Sequence, residues 1–160
     1  MLNIKVICVG KMRDRFFTDA ANEYLKRLSG YCNIDVLEIP EYRLPDAPSA
    51  SEVSKALARE SSLIKEKIPS GAVCAALCIE GEQLDSPALS ALLSGYALRG
   101  ASKLCFIIGG SYGLHADLKK FMDIRISMSK MTFPHTLARV ILLEQLYRAL
   151  SIAGGGKYHK

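Results

Sequence analysis

Lys103-Leu104-Cys105-Phe106-Ile107-Ile108-Gly109-Gly110-Ser111-Tyr112-Gly113-Leu114 is a short apolar run that stops on two glycines and gives way to a helical pattern. The run is too short for a helix. Its nearly unbroken apolar character is what a strand covered on both faces requires. Outward from it, residues 3–9, 34–39 and 72–79 are similar runs, mostly bounded by Gly or Pro. Helical spacing fills the gaps. Phe17, Ala20, Ala21, Tyr24 and Leu28 line one face of 16–28, and Val53, Leu57, Ser61 and Ile64 one face of 51–67. Ser86-Pro87 reads as an N-cap followed by proline at the first helical position, opening a helix to about residue 98. A shorter helix over 114–122, a short strand over 123–127 and a last helix over 135–152 complete the chain. Strand-helix alternation of this kind predicts an α/β sandwich with a mainly parallel sheet. A length of 160 residues suits one domain, 1–160.

Composition narrows the class. With 49% hydrophobic and 23% charged residues, the chain is neither largely disordered nor fibrous. No apolar run approaches the roughly 20 residues that span a bilayer, and the first residues lack a signal-peptide pattern. The five cysteines (Cys8, Cys32, Cys74, Cys78, Cys105) form an odd set without C-x-x-C. Reduced thiols in a cytoplasmic protein are expected. The net charge of +5 is unevenly spread: residues 119–160 hold eight Lys/Arg and two acids, whereas residues 1–118 net −1. A solvated basic face and a site for phosphate or RNA both account for that excess.

The last helix is apolar nearly all round. Leu137, Val140, Ile141, Leu142, Leu143, Leu146, Tyr147, Leu150 and Ile152 leave only a narrow polar stripe with Glu144, Arg148 and Ser151. A helix apolar on all sides must be buried on all sides, and a homodimer interface is the natural cover for its outer face. Arg139 lies on the stripe of Leu143, Leu146 and Leu150. It either snorkels or pairs with a carboxylate, or it serves a site directly. Glu144 and Arg148, four apart, have the spacing of an ordinary helix ion pair.

Three segments offer chemistry. Gly109-Gly110-Ser111-Tyr112-Gly113 follows a buried strand and opens a helix. That suits a ligand loop or a plain tight turn, and its spacing departs from the G-x-G-x-x-G of dinucleotide sites. Met128-Ser129-Lys130-Met131-Thr132-Phe133-Pro134-His135 alternates polar with apolar residues at a strand end. Its amides and soft side chains could hold an adenine, or Thr132 or His135 could simply cap the next helix. The tail Gly154-Gly155-Gly156-Lys157-Tyr158-His159-Lys160 sets an aromatic and an imidazole among cations. A disordered basic tail and a segment that stacks on, orients or deprotonates a nucleobase are both open. Scattered His115, His135 and His159 give no metal-ligand pattern, and no nucleophile elbow is present.

Taken together, these segments resemble the RlmH family, small SPOUT-class methyltransferases of large-subunit ribosomal RNA. The likeness rests on Val9-Gly10-Lys11, Glu23-Tyr24-Leu25-Lys26-Arg27-Leu28, Ile108-Gly109-Gly110, Ser129-Lys130-Met131-Thr132-Phe133-Pro134-His135, Arg139-Val140, Glu144-Gln145-Leu146-Tyr147-Arg148-Ala149 and Tyr158-His159. The resemblance implies a SPOUT fold with a C-terminal trefoil knot, a homodimer, and S-adenosylmethionine held in a bent form. By motif, the cofactor contacts are Leu77, Gly109, Met128, Ser129, Lys130, Met131, Thr132 and Phe133. It implies methylation of N3 of a pseudouridine in large-subunit (23S) ribosomal RNA on the assembled ribosome. For that reaction His159 is the candidate base or orienter, Tyr158 the residue that stacks on or hydrogen-bonds the base, and Arg148 the holder of phosphate or anion. His135, Arg139 and Lys157 are secondary candidates on the RNA side. The chain departs from its relatives at Cys78, where an acid is common, and at Glu82, where lysine is frequent. The competing readings are a non-catalytic basic RNA-binding α/β module and a nucleotide-binding oxidoreductase.

Overall fold

In a computed structural model describing residues 1–159, strands and helices alternate strictly along the chain. They are β1 (Leu2–Val9), α1 (Arg15–Leu28), β2 (Cys32–Ile39), α2 (Ala50–Lys67), β3 (Val73–Gln83), α3 (Ser86–Leu98), β4 (Lys103–Ile108), α4 (Ala116–Phe121), β5 (Ile124–Ser127) and α5 (His135–Ala153). The five strands form one sheet in the order β2-β1-β4-β3-β5. Every pairing is parallel, so the expected mainly parallel sheet is entirely so among the described residues. β4 lies at its centre, and Leu104 to Ile108 are all buried.

Alternation along the strands feeds two cores. Ile4, Val6, Leu104, Phe106 and Ile108 pack on one face against Leu28 of α1, Leu93 of α3 and Leu143 and Leu146 of α5. Ile7, Val9, Cys74, Cys105 and Ile107 pack on the other against Ile64 of α2 and Leu118 of α4. Helices therefore cover both faces, as an all-parallel sheet requires. All five cysteines are free, and four of them are buried in these layers.

Local details differ from the sequence expectations for physical reasons. Asp85, not Ser86, caps α3: its Oδ1 accepts from the amide of Ala88 at 2.7 Å. The hydroxyl of Ser86 instead donates to Oε1 of Gln145 on α5 at 2.6 Å. The expected helix over 114–122 is shorter, because His115 occupies its N-cap and its Nδ1 accepts from the amide of Asp117 at 3.1 Å. β3 outruns its expected end because it pairs with β5 twice. Leu77 lies opposite Ile126, and after a bulge Glu82 lies opposite the same residue. At Gly81 the two backbones nearly touch, and a Cβ there would fall 2.6 Å from the carbonyl carbon of Ile126.

α5 lies between α1 and α3, and no residue from 135 to 152 is classed as exposed. Leu137, Ile141 and Ile152 are only half-buried and join neither core. Arg139 is buried. It donates to Oε2 of Glu38 and to the carbonyl of Gly10, each at 3.1 Å. Of the readings open for this arginine, pairing with a carboxylate is the one realised. No helix is long and apolar enough to cross a membrane among the described residues.

Candidate active site

All five strands point the same way, so the segments leaving β1, β3, β4 and β5 gather at one sheet edge. Open α/β sheets bind ligands outside this carboxyl edge. A cleft of about 840 Å³ opens there between the bulge of β3, the glycine loop after β4 and the segment after β5. Its size falls in the range of small-molecule sites.

The glycine loop owes its shape to missing side chains. A Cβ on Gly109 would stand 2.5 Å from the carbonyl oxygen of Gly113, so the loop closes only with glycine there. Gly113 has a φ of +77° and its amide donates to the carbonyl of Gly110 at 3.0 Å. Behind the loop, Glu41 accepts from the amide of Ser111 at 2.9 Å through Oε1. Glu60 of α2 is buried close to Glu41. Burial, reinforced by the like charge of Glu41, pushes its carboxyl up to about 7, against a hydrogen bond from the Tyr42 backbone.

The segment after β5 is ordered by Ser129, whose Oγ accepts from the amide of Met131 at 3.0 Å. The hydroxyl of Ser127 in turn donates to the carbonyl of Ser129 at 2.9 Å. Pro134 stands at the N-cap of α5 and no side chain caps the helix, so the capping alternative for Thr132 or His135 is not realised. Leu77, Gly109, Met128, Ser129, Met131, Thr132, Phe133 and His135 all line the cleft. Lys130 is exposed and is not on its lining. Nδ1 of His135 is buried without a hydrogen-bond partner. The ring carbon Cε1 of His135 lies 2.9 Å from where a Cβ on Gly10 would be, which fits the glycine at that position.

Two charged cleft residues lie outside the site residues expected from the sequence. Glu80, from the β3 bulge, pairs with Lys119 of α4, and both line the cleft. The Lys119 hydrogen bond holds the Glu80 carboxyl below the usual range. A pairing across 39 residues has no local signature. The bulge also brings Cys78 to the lining.

The tail is placed elsewhere. Gly156 donates to the carbonyl of Ser151 at 2.8 Å, turning the chain back along α5. Tyr158 packs on Tyr147 with ring centroids 4.6 Å apart, beneath the Arg148 guanidinium at 4.5 Å. Its hydroxyl donates to Oε1 of Glu144 at 3.3 Å, and the same oxygen accepts from Nε of Arg148 at 2.9 Å. Burial, then a hydrogen bond with Tyr24, raises the Tyr158 phenol. Lys157 and His159 are exposed, and Lys160 lies outside the described residues. Tyr158 thus sits on Glu144 and Tyr147, nine and twelve residues beyond His135, and under Arg148 one residue further. At 1.5 Å per residue, that is about 14 to 18 Å along α5. Arg148 and Tyr158 are brought together, but within one protomer they are not brought to the cleft. Among the described residues, no three His, Cys, Asp or Glu side chains gather as a metal cluster would require.

A carboxyl-edge cleft with a closed glycine loop and apolar walls fits a nucleoside cofactor. Residues 2–159 match the family described as predicted SPOUT methyltransferase, and the chain belongs to that family. It is an S-adenosylmethionine-dependent methyltransferase. Among named relatives, the ribosomal RNA large subunit methyltransferase H of Bifidobacterium animalis subsp. lactis is 43% identical over 159 residues, covering 99% of this chain and 100% of that protein. The protein of that name from Streptococcus pyogenes serotype M5 is 41% identical over the same coverage. Solved structures agree on the fold. A probable methylase family protein from Haemophilus influenzae superposes with a TM-score of 0.58 at 10% identity, covering 98% of this chain and 70% of that one. A probable methyltransferase from Bordetella pertussis gives 0.56 at 15% identity, covering 92% and 95%.

The donor set suits the cofactor. Leu77, Ile108, Met128 and Phe133 are apolar lining residues against which a purine would fit, and Gly109, Gly110 and Gly113 would let the loop backbone approach it closely. Glu80 and Lys119, paired with each other, would offer one carboxylate and one ammonium to the cofactor's polar end. Family membership thereby sets aside the oxidoreductase reading, and the silent binding module with it.

Proposed function

We propose that this protein methylates N3 of a pseudouridine in large-subunit ribosomal RNA, acting as a cytoplasmic homodimer on the assembled ribosome. The single observation that supports it most is the convergence of Leu77, Gly109, Met128, Ser129, Met131, Thr132 and Phe133 on one cleft, in a chain 41% identical over 99% of its length to a ribosomal RNA large subunit methyltransferase H. Bound there, S-adenosylmethionine supplies an electrophilic methyl group on a sulfonium.

The chain's own residues align, exclude water and manage a proton. Phe133, Met128 and Leu77 hold the purine and keep the site dry, while Glu80 and Lys119 orient the amino-acid end or the ribose. The acceptor nitrogen must lose its proton and its imide must be stabilised. His159 is assigned to the proton, Tyr158 to the face or edge of the base, and Arg148 to the negative charge. His135 and Lys157 support the RNA side.

The tail reaches the reaction through the dimer. In-line transfer needs the reacting atoms about 3 Å apart, and Tyr158 docks more than a nanometre from its own cleft. Leu137, Ile141 and Ile152 present half-buried apolar surface along α5. A two-fold contact built on that face covers it and carries one subunit's tail toward its partner's cleft. The family's knotted threading of the C-terminal segments belongs to the same proposal.

Mass spectrometry of large-subunit RNA with and without the protein tests the reaction: a methylated pseudouridine is expected only with it. Failure to bind S-adenosylmethionine in calorimetry, or an unchanged RNA mass, overturns the reading. For the shared site, a variant lacking residues 157–160 and a Gly109→Val variant are each expected to be inactive alone. Mixed, they should regain activity, and a mixture that stays inactive removes the trans tail.

A further inference from the structure

The loop leaving β1 belongs to neither the cleft nor the tail. Residues 11–16, Lys11-Met12-Arg13-Asp14-Arg15-Phe16, carry three cations and one carboxylate, and all three cations are exposed. Among the described residues Lys11 and Arg13 make no ion pair. Arg15 reaches Asp19 only at 3.8 Å, with its side chain 95% exposed. Phe16 is 67% exposed and leans on Phe17 with ring centroids 4.5 Å apart. A lone exposed aromatic is ordinary. One set among unpaired cations is a stacking platform beside a phosphate site.

The loop's base is held firmly although its side chains are free. The amide of Gly10 donates to the carbonyl of Ile39 at 2.7 Å, and the amide of Met12 to Oε2 of Glu38 at 2.6 Å. Arg139 closes the knot of contacts by donating to that same Glu38 oxygen and to the carbonyl of Gly10. β1 is hydrogen-bonded to β4, so the loop stands beside the glycine loop. Gly10 abuts the ring of His135, which lines the cleft. The cations are thus fixed at the cleft's rim by a buried arginine reaching across from α5.

We propose that Lys11, Arg13, Arg15 and Phe16 form an RNA-docking surface on the rim of the cleft. The cations hold backbone phosphates and Phe16 stacks on an unpaired base. Arg139 is a positioning residue that fixes this surface relative to the cleft, not an RNA contact. The inference rests on the ribosomal RNA reading above and deepens it by assigning substrate contact to the front of the chain.

The test measures binding to purified large ribosomal subunits by co-sedimentation over a salt series, independently of methyl transfer. A Lys11→Ala/Arg13→Ala/Arg15→Ala variant is expected to bind at least about tenfold more weakly at low salt. The slope of log K against log salt should become shallower by about 2 to 3, since each phosphate contact contributes roughly 0.9. Its S-adenosylmethionine affinity and melting temperature should match the wild type. Phe16→Ala should lose several-fold affinity and Phe16→Trp should restore it. As a control, Lys55→Ala/Lys65→Ala/Lys67→Ala removes equal charge from α2 on the opposite face of the sheet and should leave the slope unchanged. An unchanged slope in the loop variant, an equal loss in the control, or no binding by the wild type overturns the proposal. Wild-type binding that the loop variant loses, without methyl transfer by either, keeps the docking surface and overturns the pseudouridine-methylation reading instead.

Discussion

Two basic stretches flank the cleft, and the fold treats them differently. In residues 119–160, Lys119 pairs with Glu80, Arg139 with Glu38 and Arg148 with Glu144, while Lys120, Arg125, Lys130 and Lys157 stay exposed without an ion pair among the described residues. In residues 11–16, Lys11 and Arg13 stand exposed on a loop whose backbone is pinned from below. The longer stretch holds more net charge along the chain. Two of its three neutralising carboxylates, Glu38 and Glu80, come from the front of the chain. A charge count along a sequence is therefore not a field in space. Paired cations build and position, whereas unpaired ones on a firm base are left to meet a polyanion.

Three substitutions probe that contrast. The largest effect is expected for Arg139→Ala, which removes a buried cation, leaves the Gly10 carbonyl without its donor and leaves Glu38 with only the Met12 amide. Losing one half of a buried pair costs about 3 to 5 kcal/mol. Urea denaturation should place the loss near the lower end, because the Glu38 side chain is 37% exposed and can rehydrate. A loss below about 1 kcal/mol would make Arg139 equivalent to a surface cation and dissolve the contrast.

Glu60→Gln tests the reverse case, a buried carboxyl facing another carboxyl. Its folded value of about 7 lies above the unfolded one, so the folded state holds the proton more tightly. Stability then falls as pH rises from about 4.5 to 7 and stays lower above that, by at most about 3 kcal/mol. The amide variant should be more stable than the wild type at pH 8 and should flatten thermal stability over that window. An unaltered pH profile would show that the Glu41–Glu60 pair carries no such strain.

Arg148→Ala should have the smallest effect on stability. Exposed helix pairs contribute about 0.3 to 0.5 kcal/mol, and the stacking of Arg148 on Tyr158 adds about 0.5 to 1 kcal/mol, so the melting temperature should fall by only a few degrees. Methyl transfer, by contrast, should fall by an order of magnitude or more if the guanidinium stabilises the imide. Unchanged activity with unchanged stability would return Arg148 to an ordinary ion pair.

Much of the site was legible locally. Gly109 and residues 128–133 follow apolar runs, so a strand end and an open loop could be read from their neighbours alone. The apolar girth of α5 was equally plain. Glu80, Lys119 and Glu41 were not legible, because each acts through a partner 39 or 70 residues away. Arg139 had two readings until Glu38 was found 101 residues from it. The tail shows the same limit. Its Tyr-His pair pointed to base contact, but only the return of Gly156 onto Ser151 places Tyr158 on Glu144 and Tyr147.

The sequence by itself determined the alternation of strands and helices, the double-faced burial of the sheet and the loops that line the cleft. These follow from hydrophobic period and from glycine and proline at segment ends, which act over a few residues. The tertiary structure alone decided the strand order, the double pairing of β3 with β5, and which cations are neutralised. Those depend on side chains meeting across tens of residues, where Coulomb attraction and hydrogen bonding act on distance in space and not along the chain.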